Sequence, residues 1–387
     1  MSIDTQDAPT TIIPTGTTAQ PAPAGSTTVR TEPSSTESIP VYQRRLLSRS
    51  TAEQKFEVVG CWVAALAMAW LICGRLMPWN GPIVFTIVTV VVGLLLIAVI
   101  TAIDSGWPEV ADRIVTTVIN LAALLVGVAL VSTVLFIFAR GWKPLMHLNT
   151  FFDDMAGVGP RDPLTKGGVA HAIVGSLIQV GIAIIITIPL GIGTAVYMTE
   201  VGGKFARIVR TVVEAMTALP SIVAGLFIYT TLIVGLGVPR SGLAAALALG
   251  VMMLPIIARA ADVVLRVVPS NLREASLALG ASRWSTVWHI VLPTARPGLA
   301  TAVILGVARG IGETSPVLLT SGAASFMVVN PADGVMNSLP LFIFSTVRSG
   351  EPIFIERAYG AAAILLGIVL ILFIMARLLA RPRKGIR

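Results

Sequence analysis

Charged side chains are scarce in this chain: Asp, Glu, Lys and Arg make up 12% of its 387 residues, against 55% hydrophobic residues. So little polar surface excludes a soluble globule of this size, and the apolar runs are long enough to need a lipid core. Cysteine is almost absent as well. Cys61 and Cys73 fall on one expected helix, about 18 Å apart along its axis at a rise of ~1.5 Å per residue, which excludes a disulfide between them and leaves them as apolar filler. The histidines, His147, His171 and His289, sit on separate loops or span ends without ligand spacing, so no metal site is expected. Missing too is the phosphate-cradling pattern G-x-x-x-x-G-K-[ST]. The only Gly-Lys pair, Gly203-Lys204, is followed by Phe205 and has Met198 where the first Gly should stand, so the chain cannot hold ATP by that device. No catalytic constellation is visible.

What remains is a succession of apolar stretches. At about 17 to 25 apolar residues per crossing, helices are expected near 58–76, 83–103, 114–138, 171–198, 217–237, 242–258, 297–320 and 358–379. The fold class is therefore all-α, an integral membrane bundle of about eight transmembrane helices. One boundary is soft, because Thr211 to Met216 can be read as an interfacial helix or as the first turn of the fifth span. Residues 1–40 are rich in Thr, Ser, Pro and Ala without periodicity, a composition that cannot bury enough surface to fold, and residues 1–55 are expected to form a disordered cytoplasmic tail. The first apolar run begins near Val58 and lacks a small-residue cleavage site, which argues against a signal peptide. It turns through Pro78 to Pro82 into a second run, so 56–110 reads as a transmembrane hairpin added ahead of a core at 111–387.

The basic residues orient the bundle. With a cytoplasmic N-terminus, the inner segments hold Arg44, Arg45, Arg49, Lys55, Arg113, Lys204, Arg207, Arg210, Arg259, Arg266, Arg273, Arg283 and Arg296, with Arg381, Arg383, Lys384 and Arg387 in the tail. The outer segments hold fewer: Arg75, Arg140, Lys143, Arg161, Lys166, Arg240, Arg348 and Arg357. Both termini are thus expected inside. The net charge of +8 is explained by this asymmetry and by anionic headgroups of the lipid bilayer, with no need of nucleic acid. Trp79, Trp107 and Trp142 stand at span ends as interfacial anchors.

Between two late spans lies Glu274-Ala275-Ser276-Leu277-Ala278-Leu279-Gly280, followed by Ile290-Val291-Leu292-Pro293. Local physics predicts a helix-turn-helix. Asn271 can cap the first helix with Glu274 reaching back as in a capping box, and Gly280 supplies a stop with positive φ. Ser282 can cap a second helix whose Trp284, Val287, Trp288 and Val291 share one apolar face, after which Pro293 restarts the chain toward the next span. This spacing resembles the cytoplasmic EAA signature of bacterial ABC-importer permeases, with Ser276 in place of the second Ala.

Further segments narrow the resemblance. Leu219-Pro220-Ser221-Ile222-Val223-Ala224-Gly225-Leu226-Phe227 is similar to a PSIV-GLF span, and Arg309-Gly310-Ile311-Gly312-Glu313-Thr314-Ser315-Pro316 to a RAIGETAP segment from which Gly310 and Ser315 depart. With Gly191-Ile192-Gly193 leading to Tyr197 and Glu200, they resemble the PstA-type permease family of phosphate importers, over roughly 111–380. The resemblance implies a six-helix permease core and coupling through Glu274, Ala275, Ser276, Gly280, Ile290, Leu292 and Pro293. It further implies structural roles for Pro220, Ser221, Gly225 and Glu200. Implied partners are phosphate, an ABC ATPase dimer (PstB type) that carries the ATP and Mg, a second permease (PstC type) and an extracytoplasmic phosphate-binding protein (PstS type). This chain itself would need no cofactor.

Arg309 and Glu313 carry the sharpest chemical expectation. Four residues apart in an apolar segment, they can pair on one helical face. Either charge alone in hydrocarbon costs about 2.5–3.5 kcal/mol on insertion scales. A guanidinium can meet phosphate oxygens bidentately, so Arg309, Glu313 and Thr314 are candidates for the anion pathway. A structural bridge between permease subunits explains the pair equally. The rival readings are a permease for another oxyanion such as sulfate or molybdate, an ATPase-independent anion transporter or channel, and a membrane regulatory scaffold. The Glu274 to Pro293 loop would be useless to the last two.

Overall fold

The computed structural model describes residues 52–76, 81–104 and 106–379. Every regular element among them is helical. The expectations for the tail, for Trp79 and for the C-terminal basic residues lie outside the described residues. The chain divides into two units at Thr117/Val118.

In the first unit, α1 (Ala52–Leu71) extends through a π-helical turn, Ile72–Leu76, and α2 (Pro82–Asp104) packs against it. Small residues set the contact: Ala65 and Ala69 are fully buried, and a Cβ on Gly93 would stand 2.8 Å from the Trp62 ring. Close approach of this kind is what holds helices together where lipid removes the hydrophobic drive. Both cysteines are free.

The next helix, α3 (Trp107–Leu145), crosses the division. It is longer at both ends than the expected 114–138: Pro108 sits in its first turn, where a missing N–H removes no helical hydrogen bond, and Pro144 is carried inside the last turn, where it denies the Arg140 carbonyl its usual donor. A short turn, α4 (Asn149–Phe152), leads through a loop to α5 (Ala170–Val196), which extends through a π-helical turn at Tyr197–Val201. Helix α6 (Gly203–Thr217) follows after Gly202 and Gly203 take φ of +67° and +87°. It settles the soft boundary: α6 is a separate helix, bent by 107° from the next apolar segment. The expected span 217–237 is accordingly replaced by a short one, α7 (Ser221–Ile228) with a π-helical continuation to Gly235. Pro220 causes the break, since it keeps Leu219 out of the helical region.

Helix α8 (Gly242–Arg266) continues two turns beyond the expected 258. Then come α9 (Ser270–Ala278), α10 (Arg283–Thr286) and α11 (Leu292–Ile311), the last two joined by a π-helical turn at Val287–Val291. The stretch Arg283–Ile311 is one helix of 29 residues, so Pro293 does not restart the chain as the sequence suggested. The widened turn before it accommodates a residue that lacks an N–H. The expected span 297–320 instead breaks at Gly312–Thr314, and α12 (Ser315–Thr320) resumes beyond it. A helix absent from the sequence reading, α13 (Leu339–Val347), is capped by Ser338, whose Oγ accepts from Leu341 N at 3.4 Å. Finally α14 (Pro352–Leu379) starts earlier than the expected 358. Among the described residues, seven helices are long and apolar enough to cross a membrane, or eight if α6 and α7 count together.

The second unit is organised around α8, which packs against α5 and α11. Glycines let the backbones close up. A Cβ on Gly191 of α5 would stand 2.9 Å from Ile257, and one on Gly306 or Gly310 of α11 would run into Ile257 or Met253. Around these contacts Leu249, Met253, Ile257 and Leu265 are buried. At the other end, Gly141 of α3 lies against the Tyr359 carbonyl and Gly360 of α14 against Pro144.

Candidate functional site

The helical hairpin between α8 and α11 forms as the spacing suggested, but its ends are tied differently. Gly280 closes α9 with φ +82°, a conformation that a Cβ disfavours. Ser282 caps α10 by accepting from Ser285 N at 3.2 Å, as expected. The capping box is not formed: α9 begins after Pro269 with no side-chain cap, and Glu274 stands exposed. Pro269 already fixes the extended backbone before the helix, so Asn271 lies inside the first turn rather than ahead of it.

No residue of α9 is buried. Leu272, Leu277 and Leu279 are 41%, 44% and 89% exposed, and Ala275 and Gly280 lie open beside them. In contrast, α10 is anchored. Val287 and Val291 are buried among Ala195, Leu265, Ala295 and Leu299, while Ile290 and Leu292 are half-buried. Ser276 Oγ meets Thr286 Oγ1 at 2.9 Å, so the residue that departs from the EAA pattern links the two helices of the hairpin. Trp284 and Trp288 meet edge to face at 5.8 Å and, with Tyr197, Pro293 and Arg296, line an open groove of about 1180 Å³.

Ion pairs that the sequence did not reveal tie this hairpin and α6 to the bundle. Arg273 pairs with Glu200 at 3.0 Å and donates to the carbonyls of Leu265 and Val268 at 2.8 and 3.2 Å. Asp262, buried on α8, receives Arg210 of α6 and Arg266 of its own helix, each at 3.1 Å. Arg210 also donates to Met198 O at 3.2 Å, which fastens α6 to the end of α5. The i,i+4 spacing of Asp262 and Arg266 was readable as a helical pair. Nothing in the sequence pointed from Arg210 to Asp262, 52 positions away.

A second cluster lies at the break after α11. Helix α11 ends at Ile311, so Glu313 falls beyond it and does not share a helical face with Arg309 as expected. The pair still forms, Arg309 Nε to Glu313 Oε1 at 3.8 Å, an ion pair too long for a hydrogen bond. The Arg309 side chain is 58% exposed and Glu313 18%. Thr314 is half-buried and accepts at its carbonyl from Leu318 N at 3.0 Å. Directly after it, Pro316 packs on Gly225 so closely that a Cβ there would stand 2.6 Å from Pro316 Cα. Two segments almost ninety positions apart, Pro220-Ser221 to Gly225 and Arg309 to Pro316, therefore meet. Of the other sequence candidates, Pro220 is exposed at the bend and Ser221 half-buried at the start of α7.

A family model described as the binding-protein-dependent transport system inner membrane component matches residues 187–384. The phosphate transport system permease protein PstA 1 of Mycobacterium tuberculosis (strain CDC 1551 / Oshkosh) is 37% identical over 262 residues, 67% of this chain and 86% of that protein. The phosphate transport system permease protein PstA of Haemophilus influenzae is 33% identical over 272 residues, covering 67% of this chain and 94% of that protein. Among solved structures, a chain of a bacterial alginate ABC transporter in complex with an alginate pentasaccharide-bound periplasmic protein superposes with a TM-score of 0.51 at 14% identity. That match covers 71% of this chain and 96% of that one, and likeness at this identity concerns the fold.

Proposed function

The chain belongs to the family of binding-protein-dependent transport system inner membrane components, and we propose that it is the permease subunit of an ATP-driven importer of inorganic phosphate. It is a multi-pass membrane component, not itself catalytic. The observation that carries the reading is its identity to phosphate permeases over most of their length. Phosphate is favoured over sulfate or molybdate on the same ground. The energy then comes from a separate ATPase dimer of the PstB type, which holds the ATP and Mg. A PstC-type permease supplies the other half of the path and a PstS-type protein delivers the anion.

Geometry supports a division of labour. The unburied α9, with Glu274, Ala275 and the exposed leucines around Gly280, offers the ATPase a surface, and the anchored α10 runs without a break into α11. Movement of the hairpin is thereby delivered to the helix that carries Arg309 at its far end. In this reading Arg309, Glu313 and Thr314 face the anion at the helix break. Residues 56–110 form a hairpin added to a permease domain at 111–387, and both termini lie in the cytoplasm. Outside labelling of single cysteines should then reach position 333 and miss positions 43 and 384.

Co-purification with the ATPase tests the docking surface. Gly280→Pro and Glu274→Lys are each expected to abolish ATP-driven phosphate uptake while the protein stays in the membrane. Normal uptake in both variants would remove the docking role of this hairpin.

A further inference from the structure

The two arms of the hairpin differ in how they reach the bundle. Helix α10 is continuous with α11 through the π-helical turn that buries Val287 and Val291. No residue of α9 is fully buried, and none belongs to the apolar cluster that joins Val287 and Val291 to α5 and α8. Its attachment is polar and centres on Arg273.

That guanidinium sits where three elements converge. Its Nη2 donates to Leu265 O and its Nη1 to Val268 O, carbonyls at the C-terminal end of α8, of which Leu265 O also accepts from Val268 N at 3.3 Å. The Nη2 also faces Glu200 Oε1 at 3.0 Å, an ion pair that falls short of a directed hydrogen bond. The side chains are 24% and 17% exposed, so water screens them only in part. Glu200 belongs to the π-helical turn that ends α5, and Gly202 and Gly203 follow it with positive φ. The end of α5 is thus held to α9 by the Glu200 carboxylate, and to α6 by Arg210 on Met198 O.

We propose that Arg273 is a positioning residue for transport: its ion pair with Glu200 carries the displacement of α9 to α5, while its carbonyl bonds keep α9 seated on α8. This rests on the reading of α9 as the ATPase-facing element. The hairpin then has two outputs. One passes along the continuous α10–α11 helix, whose Val287 and Val291 also pack on Ala195 of α5, and the other passes from α9 through one charge pair to the end of α5, the helix whose Gly191 lies against Ile257 of α8.

The two roles of Arg273 separate on mutation. Glu200→Gln removes the charge partner and leaves both carbonyl bonds of Arg273 in place, so α9 should remain seated and able to receive the ATPase. The test uses the complete importer, with ATPase, second permease and binding protein, in proteoliposomes, reading phosphate taken up per ATP hydrolysed alongside the ATPase co-purified. For Glu200→Gln we expect full ATPase co-purification with phosphate moved per ATP reduced about tenfold, the scale of a typical coupling between sites. Glu200→Asp, which keeps the charge, should recover part of the loss. Wild-type coupling in Glu200→Gln overturns the link, and so does loss of the ATPase from that complex, which would make the pair a plain structural support. A wild-type complex that retains no ATPase overturns the docking reading itself, and the link with it.

Discussion

Helices α3 and α8 are both apolar enough to span a bilayer, and α3 is the more apolar of the two, yet none of its hydrophobic window is buried while 61% of that of α8 is. The difference lies in side-chain size. The exposed face of α3 carries Leu124, Leu125, Val128, Leu130 and Leu135, whereas α8 offers Ala244, Ala245, Ala248, Gly250, Ala258 and Ala261 to its neighbours. Apolarity reports the solvent a helix sits in, because lipid accepts a leucine as readily as a protein core does. Small residues report where another backbone comes close, because dispersion gains need contact and a large side chain holds the helices apart.

The comparison breaks most sharply at the glycines that face α8. Gly306→Leu would drive a side chain into Ile257 and Met253. We expect a loss of about 1–3 kcal/mol or more, seen as a lower unfolding temperature in detergent and reduced yield. A stable, fully assembled variant would mean that α8 is not the tightly packed centre described here.

A smaller effect on stability, with a large one on function, is expected at Arg309. It is as exposed as many lipid-facing leucines of α3, but a charge cannot face lipid without cost. Arg309→Lys should fold with a stability change under about 0.5 kcal/mol and still lose most phosphate uptake, because an ammonium lacks the planar fork. Arg309→Glu combined with Glu313→Arg is expected to restore subunit assembly and leave uptake near background. Full uptake by the exchanged pair would make it a structural bridge, and exposure at α11 would then resemble exposure at α3.

The smallest effect belongs to α3 itself. Leu125, 72% exposed, should tolerate Ala with a stability change below about 0.5 kcal/mol, measured by thermal unfolding in detergent. A loss several times larger would show that this face is covered by another protein surface rather than by lipid.

The sequence was most legible where the signal is local. The α9–α10 hairpin could be read because Gly280 and Ser282 act within one turn of their own positions, a positive φ and a hydroxyl three residues from the N–H it accepts. Local reasoning went wrong where two local devices competed. Pro269 displaced Asn271 from the cap, and the π-helical turn before Leu292 absorbed Pro293 without a break. It also misplaced Arg357, read as a loop residue. In the structure Arg357 is 4% exposed within α14 and donates to the carbonyls of Lys166, Pro163 and Asp162 at 2.6, 2.8 and 3.1 Å, fastening a loop some 190 positions earlier.

By itself the amino-acid sequence determined the class, the approximate spans, the α9–α10 hairpin and the lack of a Walker-type nucleotide motif, since hydropathy, caps and motif spacing act over a few turns. Only the tertiary structure decided that Glu200 meets Arg273, that Arg210 meets Asp262 and that Gly225 lies under Pro316. Those pairings join helices whose residues stand tens of positions apart, and close approach between them depends on how whole helices pack, which no local pattern encodes.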